Sequence, residues 1–278
     1  MTGASGAFAF EGVPATWMAL TVTAPGHLER ITGLVGGGRR DGLRIDAISL
    51  APPFSLDFYR QFARGGYEGP LRTLKPWTVS PSFYVRTVTE DTGEPVAAFV
   101  IDGVKRVFER AVPELTGGRL AVAAFETGAQ PAVHREGWVS VTFRHDMEPG
   151  LAGSSTVGPE GARLIQLRYD PLIDREGQYN PLHCESFTVS VADHEIVHMM
   201  GFRHTDDTFR DFHSGHGCPG AGRPERVRHH AALVYTRPYG NRDPDADPVG
   251  YSAASTAADD ELVTCPVDVV SLIHPAHR

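Results

Sequence analysis

One eleven-residue stretch of this 278-residue chain has the residue types and spacing of a metal-dependent hydrolytic site. It runs His194-Glu195-Ile196-Val197-His198-Met199-Met200-Gly201-Phe202-Arg203-His204, the pattern H-E-x-x-H-x-x-G-x-x-H. Two histidines four residues apart on a helix share one face, about 6 Å apart along its axis, so both imidazoles can reach one cation at ~2.0–2.1 Å. Gly201 tolerates positive φ and can end the helix abruptly, which returns His204 toward the same ion as a third ligand. Three protein ligands leave a fourth coordination position for water or substrate, as a catalytic zinc site requires. Glu195 neighbours His194 without sharing its direction, which suits a general base that takes a proton from the attacking water.

Five fixed positions in eleven would recur by accident on the order of once per several thousand sequences of this composition. The same helix also has an apolar stripe at helical spacing, Val189, Ala192, Ile196 and Met199, and the histidines lie off it. A purely structural amphipathic helix therefore leaves the histidines unexplained.

The elements that must position these residues are legible in outline. Apolar residues make up 41 % and charged residues 22 %, so the chain can bury a core and fits neither a disordered nor a fibrous class. A formal charge of −8 argues against a nucleic-acid partner. No apolar run approaches the ~18–20 residues of a membrane span, and the opening MTGASGAFAF does not read as a signal peptide. Residues 1–52 read as short strands between turns, and 53–76 as a Pro- and Gly-rich connection with a short helix near 56–63. From Trp77 the pattern predicts a strand at 83–88, a helix at 95–115, strands at 120–126, 138–144 and 164–169, and a second helix at 187–202. The expected fold class is α+β, with a catalytic unit over 77–250 and a tail over 251–278.

At the motif the chain resembles the metzincin clan of zinc endopeptidases, and the element order over roughly 77–248 matches the upper part of that clan's catalytic domain. The resemblance implies a twisted, mostly parallel sheet with two long helices, a zinc ion on His194, His198 and His204, Glu195 as base, and a peptide or protein substrate. It also implies export, and a substrate strand pairing with the sheet edge within 151–157. Residues 6–27, GAFAFEGVPATWMALTVTAPGH, resemble the last strands of a carboxypeptidase-regulatory-like β-sandwich, which implies a small, partial N-terminal sandwich and a missing N-terminal portion. Two other readings of the motif stand beside endoproteolysis. One is a catalytically silent, zinc-stabilised adhesive module, and the other a zinc hydrolase acting on a small amide.

The chain departs from the clan in having no methionine after Met200. Leu233 or Val234 would stand where the clan places a methionine beneath the metal, and with Leu233 in that role Tyr235 has the spacing of a zinc- or oxyanion-binding tyrosine. Asp206 and Asp207 could orient an imidazole or face water. His213, His216, His229 and His230 with Cys218 offer no ligand pair at a diagnostic spacing and read as a solvated loop. Asp243, Asp245 and Asp247 alternate as calcium ligands can, though without the glycine and distal glutamate of a known loop. Cys184, Cys218 and Cys265 allow one disulfide or three free thiols, and the oligomeric state is not encoded in any visible pattern.

Overall fold

A computed structural model describes residues 17–35, 46–176, 186–209, 223–249 and 262–266. Cys184, Cys218, His213 and His216 lie outside the described residues. Two antiparallel strands, β1 (Trp17–Val22) and β2 (Arg30–Val35), form a separate two-stranded sheet. The remainder is α+β. Four strands run parallel in the order β4 (Ala124–Gly128), β3 (Ser82–Arg86), β5 (Trp138–Arg144) and β7 (Leu164–Arg168). Strand β6 (Leu151–Thr156) joins β7 antiparallel, and β8 (Leu262–Pro266) pairs antiparallel with the outer side of β6. The strand expected within 151–157 is present as β6. No helix among the described residues is long and apolar enough to cross a membrane.

Helix α2 (Ala98–Thr116) follows its apolar period closely: Val100, Val104, Val107, Phe108, Ala111, Val112 and Leu115 are all buried. Burying each of the larger side chains contributes roughly 1.5–3 kcal/mol. Helix α3 (Phe187–Met199) packs beside α2, and Gly103 sets their approach. A Cβ at Gly103 would fall 2.5 Å from Val189 Cγ2, so any side chain there would force the two helices apart.

Residues 53–76 contribute to the same core. Helix α1 (Leu56–Arg64) is capped by Ser55, whose Oγ accepts from the Phe58 amide, and closes on Gly65 with φ 66°. Its Phe58 and Phe62 are fully buried, and Phe62 stacks on Phe202 with ring centres 4.4 Å apart. Helix α1 therefore lies against the loop that follows α3.

Helix α4 (Glu225–Val234) occupies sequence expected as solvated loop, and His230 shows why. Its ring is fully buried between Phe54, Phe58 and Tyr59. Nδ1 donates to the Arg226 carbonyl, and Nε2 accepts from the Ser55 amide at 2.9 Å. Burial, with a minor contribution from His229, holds its pKa down at about 4 against the ordinary 6.5. The unfolded chain binds this proton more readily, so the stabilisation is complete above pH 6.5 and lost as pH falls toward 4. Denaturant unfolding across that window should show a loss on the order of 3 kcal/mol at most from this residue. His230→Gln should flatten the slope.

Candidate metal centre

Helix α3 delivers the first two histidines, and its two ends are held independently. At the N-terminus Asp174 accepts from the Thr188 amide at 2.9 Å and from its hydroxyl at 2.6 Å. At the C-terminus Trp77 Nε1 donates to the Met199 carbonyl at 2.7 Å and the Tyr235 hydroxyl to the Met200 carbonyl at 2.9 Å. These bonds satisfy carbonyls that the helix itself leaves open. Gly201 then turns the chain with φ 98°, and a Cβ there would meet the Lys75 carbonyl at 3.3 Å. The Arg203 amide donates to the Phe62 carbonyl at 2.8 Å, anchoring the returning loop to α1.

The three motif histidines meet. Their Nε2 atoms form a nearly equilateral triangle, with separations of 3.2 Å for His194 to His198, 3.2 Å for His198 to His204 and 3.3 Å for His194 to His204. Three nitrogens bound to one tetrahedral zinc at about 2.05 Å stand about 3.3 Å apart, so the donor set fits such an ion. The other ring nitrogens support this. His198 Nδ1 lies 2.8 Å from the Phe202 carbonyl, which only accepts, so in the neutral ring Nδ1 carries the hydrogen and Nε2 the lone pair. His204 Nδ1 donates to Glu68 Oε1 at 3.1 Å, with the same consequence. Burial, then the neighbouring His204, holds His198 well below its ordinary pKa, so it stays neutral at pH 7. Two lone pairs aimed at one point repel unless a cation lies between them. His194, His198 and His204 are a group that could hold a metal ion.

Glu68 lay beyond sequence reasoning. It sits in the segment after α1 and accepts from the His204 ring, the His204 amide and Arg203. Burial opposes its ionisation, but these donors prevail and set its pKa at about 2. The orienting role considered for Asp206 falls to Glu68, since Asp206 Oδ2 accepts instead from Gln61 at 3.0 Å. A carboxylate behind a ligating imidazole typically contributes 10- to 100-fold in metal affinity. Glu68→Ala should weaken zinc binding by about that factor in a competition titration with a chromophoric chelator.

Glu195 is fully buried, and its carboxylate passes over strand β6. A Cβ on Gly153 would fall 2.6 Å from Glu195 Oε1 and 2.9 Å from its Cγ, so this strand position must lack a side chain. The Ser155 hydroxyl donates to the Glu195 carbonyl at 3.2 Å, and the Gly158 amide to that of His198 at 3.1 Å. Strand β6 thus lines the centre, but its outer side carries β8, so it is not the open edge expected for 151–157.

Two further groups have their polar atoms committed elsewhere. Tyr235 is buried, and its hydroxyl is committed to the Met200 carbonyl, so it braces the end of α3 rather than facing the histidine triangle. The alternating acids, whose oxygens calcium could have used, lie in a turn and face guanidiniums. Asp243 accepts from Arg60, Asp245 from Arg237, and Asp247 from Arg30, with Asn241 bridging the last two. These cations occupy the oxygens a calcium ion would need, and the loop they hold supports Arg64 and β2. No family model matches the chain, and no curated protein matches it.

Proposed function

We propose that the protein is a zinc-dependent peptidase of metzincin type, with His194, His198 and His204 holding the metal and Glu195 acting as general base. The observation that carries this reading is the Nε2 triangle, with ring tautomers set by Phe202 and Glu68 so that lone pairs converge. Three nitrogen ligands from one helix and the loop after it suit zinc, and leave a coordination position vacant for chemistry. A zinc ion bound there would polarise a scissile carbonyl and lower the pKa of an attacking water.

The chain's own residues do the rest. Glu195, desolvated above Gly153, takes a proton from the attacking water and passes it to the departing amine. Its side chain has little room to swing away, because Val191 of the preceding turn and β6 enclose the same space. Glu68 fixes the His204 ring and offsets charge at the centre. Trp77 and Tyr235 keep the end of α3 from fraying, so His198 and the turn at Gly201 stay in register.

Hydrolysis of an unfolded protein, followed with and without a chelator, tests the reading. Activity should vanish on metal removal and return on adding about one equivalent of zinc. Activity that survives complete removal of metal would refute it. Product analysis separates the two hydrolytic readings: internal cuts in an unfolded chain mark an endopeptidase, whereas turnover of small amides alone marks an amidohydrolase.

A further inference from the structure

Beside the metal centre lies a recess of about 230 Å³, walled in part by Arg72, Lys75, Arg203, Val157 and Gly201. Gly201 ends α3, and Val157 follows β6. The recess therefore adjoins the two elements that carry Glu195, His198 and Gly153. Among the described residues its lining has three cations and no carboxylate, in a chain whose formal charge is −8.

The cations are held close together. A Cβ on Gly65 would lie 2.6 Å from Arg203 Cδ and 3.8 Å from Arg72 Nε, so both side chains converge over the same bare backbone. Arg203 is only 8 % exposed, and burial followed by the like charge of Arg72 lowers its pKa. Glu68 pairs with Arg203 at 3.1 Å and Glu160 with Lys75 at 2.5 Å, each from outside the lining. Two guanidiniums and an ammonium around one partly desolvated recess present several N–H donors to a single guest, and the opposite charge of an anion strengthens each bond. The Glu68 carboxylate also links the recess to the centre, since it bonds Arg203 through one oxygen and His204 through the other.

We propose that this recess is a carboxylate subsite, which takes an acidic group of the bound peptide and makes the enzyme select substrates with that group at a fixed distance from the cut bond. The inference rests on the zinc-peptidase reading for its substrate class. Guanidiniums bind carboxylates in a planar, two-bonded geometry, Lys75 adds a point charge, and Ala63 with Val157 gives the methylenes an apolar wall. The guest carboxylate is either an acidic side chain or a free peptide C-terminus.

The test uses the full chain with zinc and a set of peptides that carry Glu, Gln or Lys at each position in turn, with amidated C-termini. A second set without acidic residues has free or amidated C-termini. The ratio of kcat/KM between matched acidic and neutral peptides is expected to reach about tenfold at one position. It should fall to near one in Arg72→Gln, and Lys75→Glu should favour a Lys peptide over its Glu counterpart, a reversal that misfolding would not produce. Preference in the first set assigns a side chain, and in the second set a C-terminus. Binding of the same peptides to Glu195→Ala, by fluorescence anisotropy, reads the recess without cleavage. Equal ratios in both assays, or a preference that Arg72→Gln and Lys75→Glu leave intact, would overturn the subsite. An acid-dependent binding difference with no cleavage by the wild type would instead remove the peptidase reading and keep the carboxylate site.

Discussion

Glu195→Ala is expected to lower kcat for unfolded protein by roughly a hundred- to ten-thousandfold, the range over which a positioned general base contributes. Zinc content should be unchanged, because the carboxylate is not one of the three converging donors. The loss should appear in kcat and not in KM, since the residue acts on the proton in flight and not on the bound chain. Gly153→Val should approach the same phenotype without touching the glutamate. A side chain at Gly153 would enter the space of Glu195 Oε1 and Cγ, and this carboxylate, buried between α3 and β6, has nowhere equivalent to go. Glu195→Gln keeps the volume over Gly153 and removes the base, so an equal loss of kcat in that variant separates a chemical role of Glu195 from a packing one. Wild-type turnover by Glu195→Ala would take away the assigned base, and hydrolysis with it would need another explanation.

His198→Ala is the second large effect. His198 is the most deeply buried of the three rings, and its Nε2 lies 3.2 Å from each of the other two. A zinc site's binding free energy is on the order of 12 kcal/mol, so losing one of three protein ligands should cost about 4 kcal/mol, or roughly a thousandfold in affinity. The variant should purify with little metal and should not hydrolyse unfolded protein. It should also unfold at lower denaturant than the zinc-loaded wild type, because a ligand that binds only the folded state stabilises it. The alanine also leaves the Phe202 carbonyl without its donor, so the metal-free forms of the two proteins are the proper comparison for the cost of the cavity.

What the sequence revealed of this site was its local part. The spacing of His194, His198, Gly201 and His204 reports on one helix and one turn, and a 3.6-residue period with a glycine that accepts φ 98° is written in neighbouring residues. Helices α1, α2 and α3 and strands β3, β5 and β7 were legible for the same reason. The supporting residues were not. Glu68 lies 136 residues before His204, and nothing in the composition around it distinguishes it from a surface acid. Gly153 falls in the strand expected at 151–157, but nothing local shows that this position must stay bare for Glu195 to pass over it. His230 and Tyr235 carry polar atoms that suggest chemistry, yet each spends them on a backbone group, Ser55 and Met200 respectively. The alternating acids at 243, 245 and 247 match a cation pattern, and only the long-range approach of Arg30 and Arg60 shows which cations they meet. Long-range pairing sets these roles, and no local period encodes it.

The proposed activity depends on a divalent ion among three imidazole nitrogens, and elemental analysis measures that ion directly. Protein purified without added chelator and dialysed against metal-free buffer should contain about one zinc per chain, and His198→Ala prepared alongside should contain less than about a tenth of that. A wild-type protein that holds no zinc after exposure to an equivalent of it, or a His198→Ala variant that holds as much, would contradict the account.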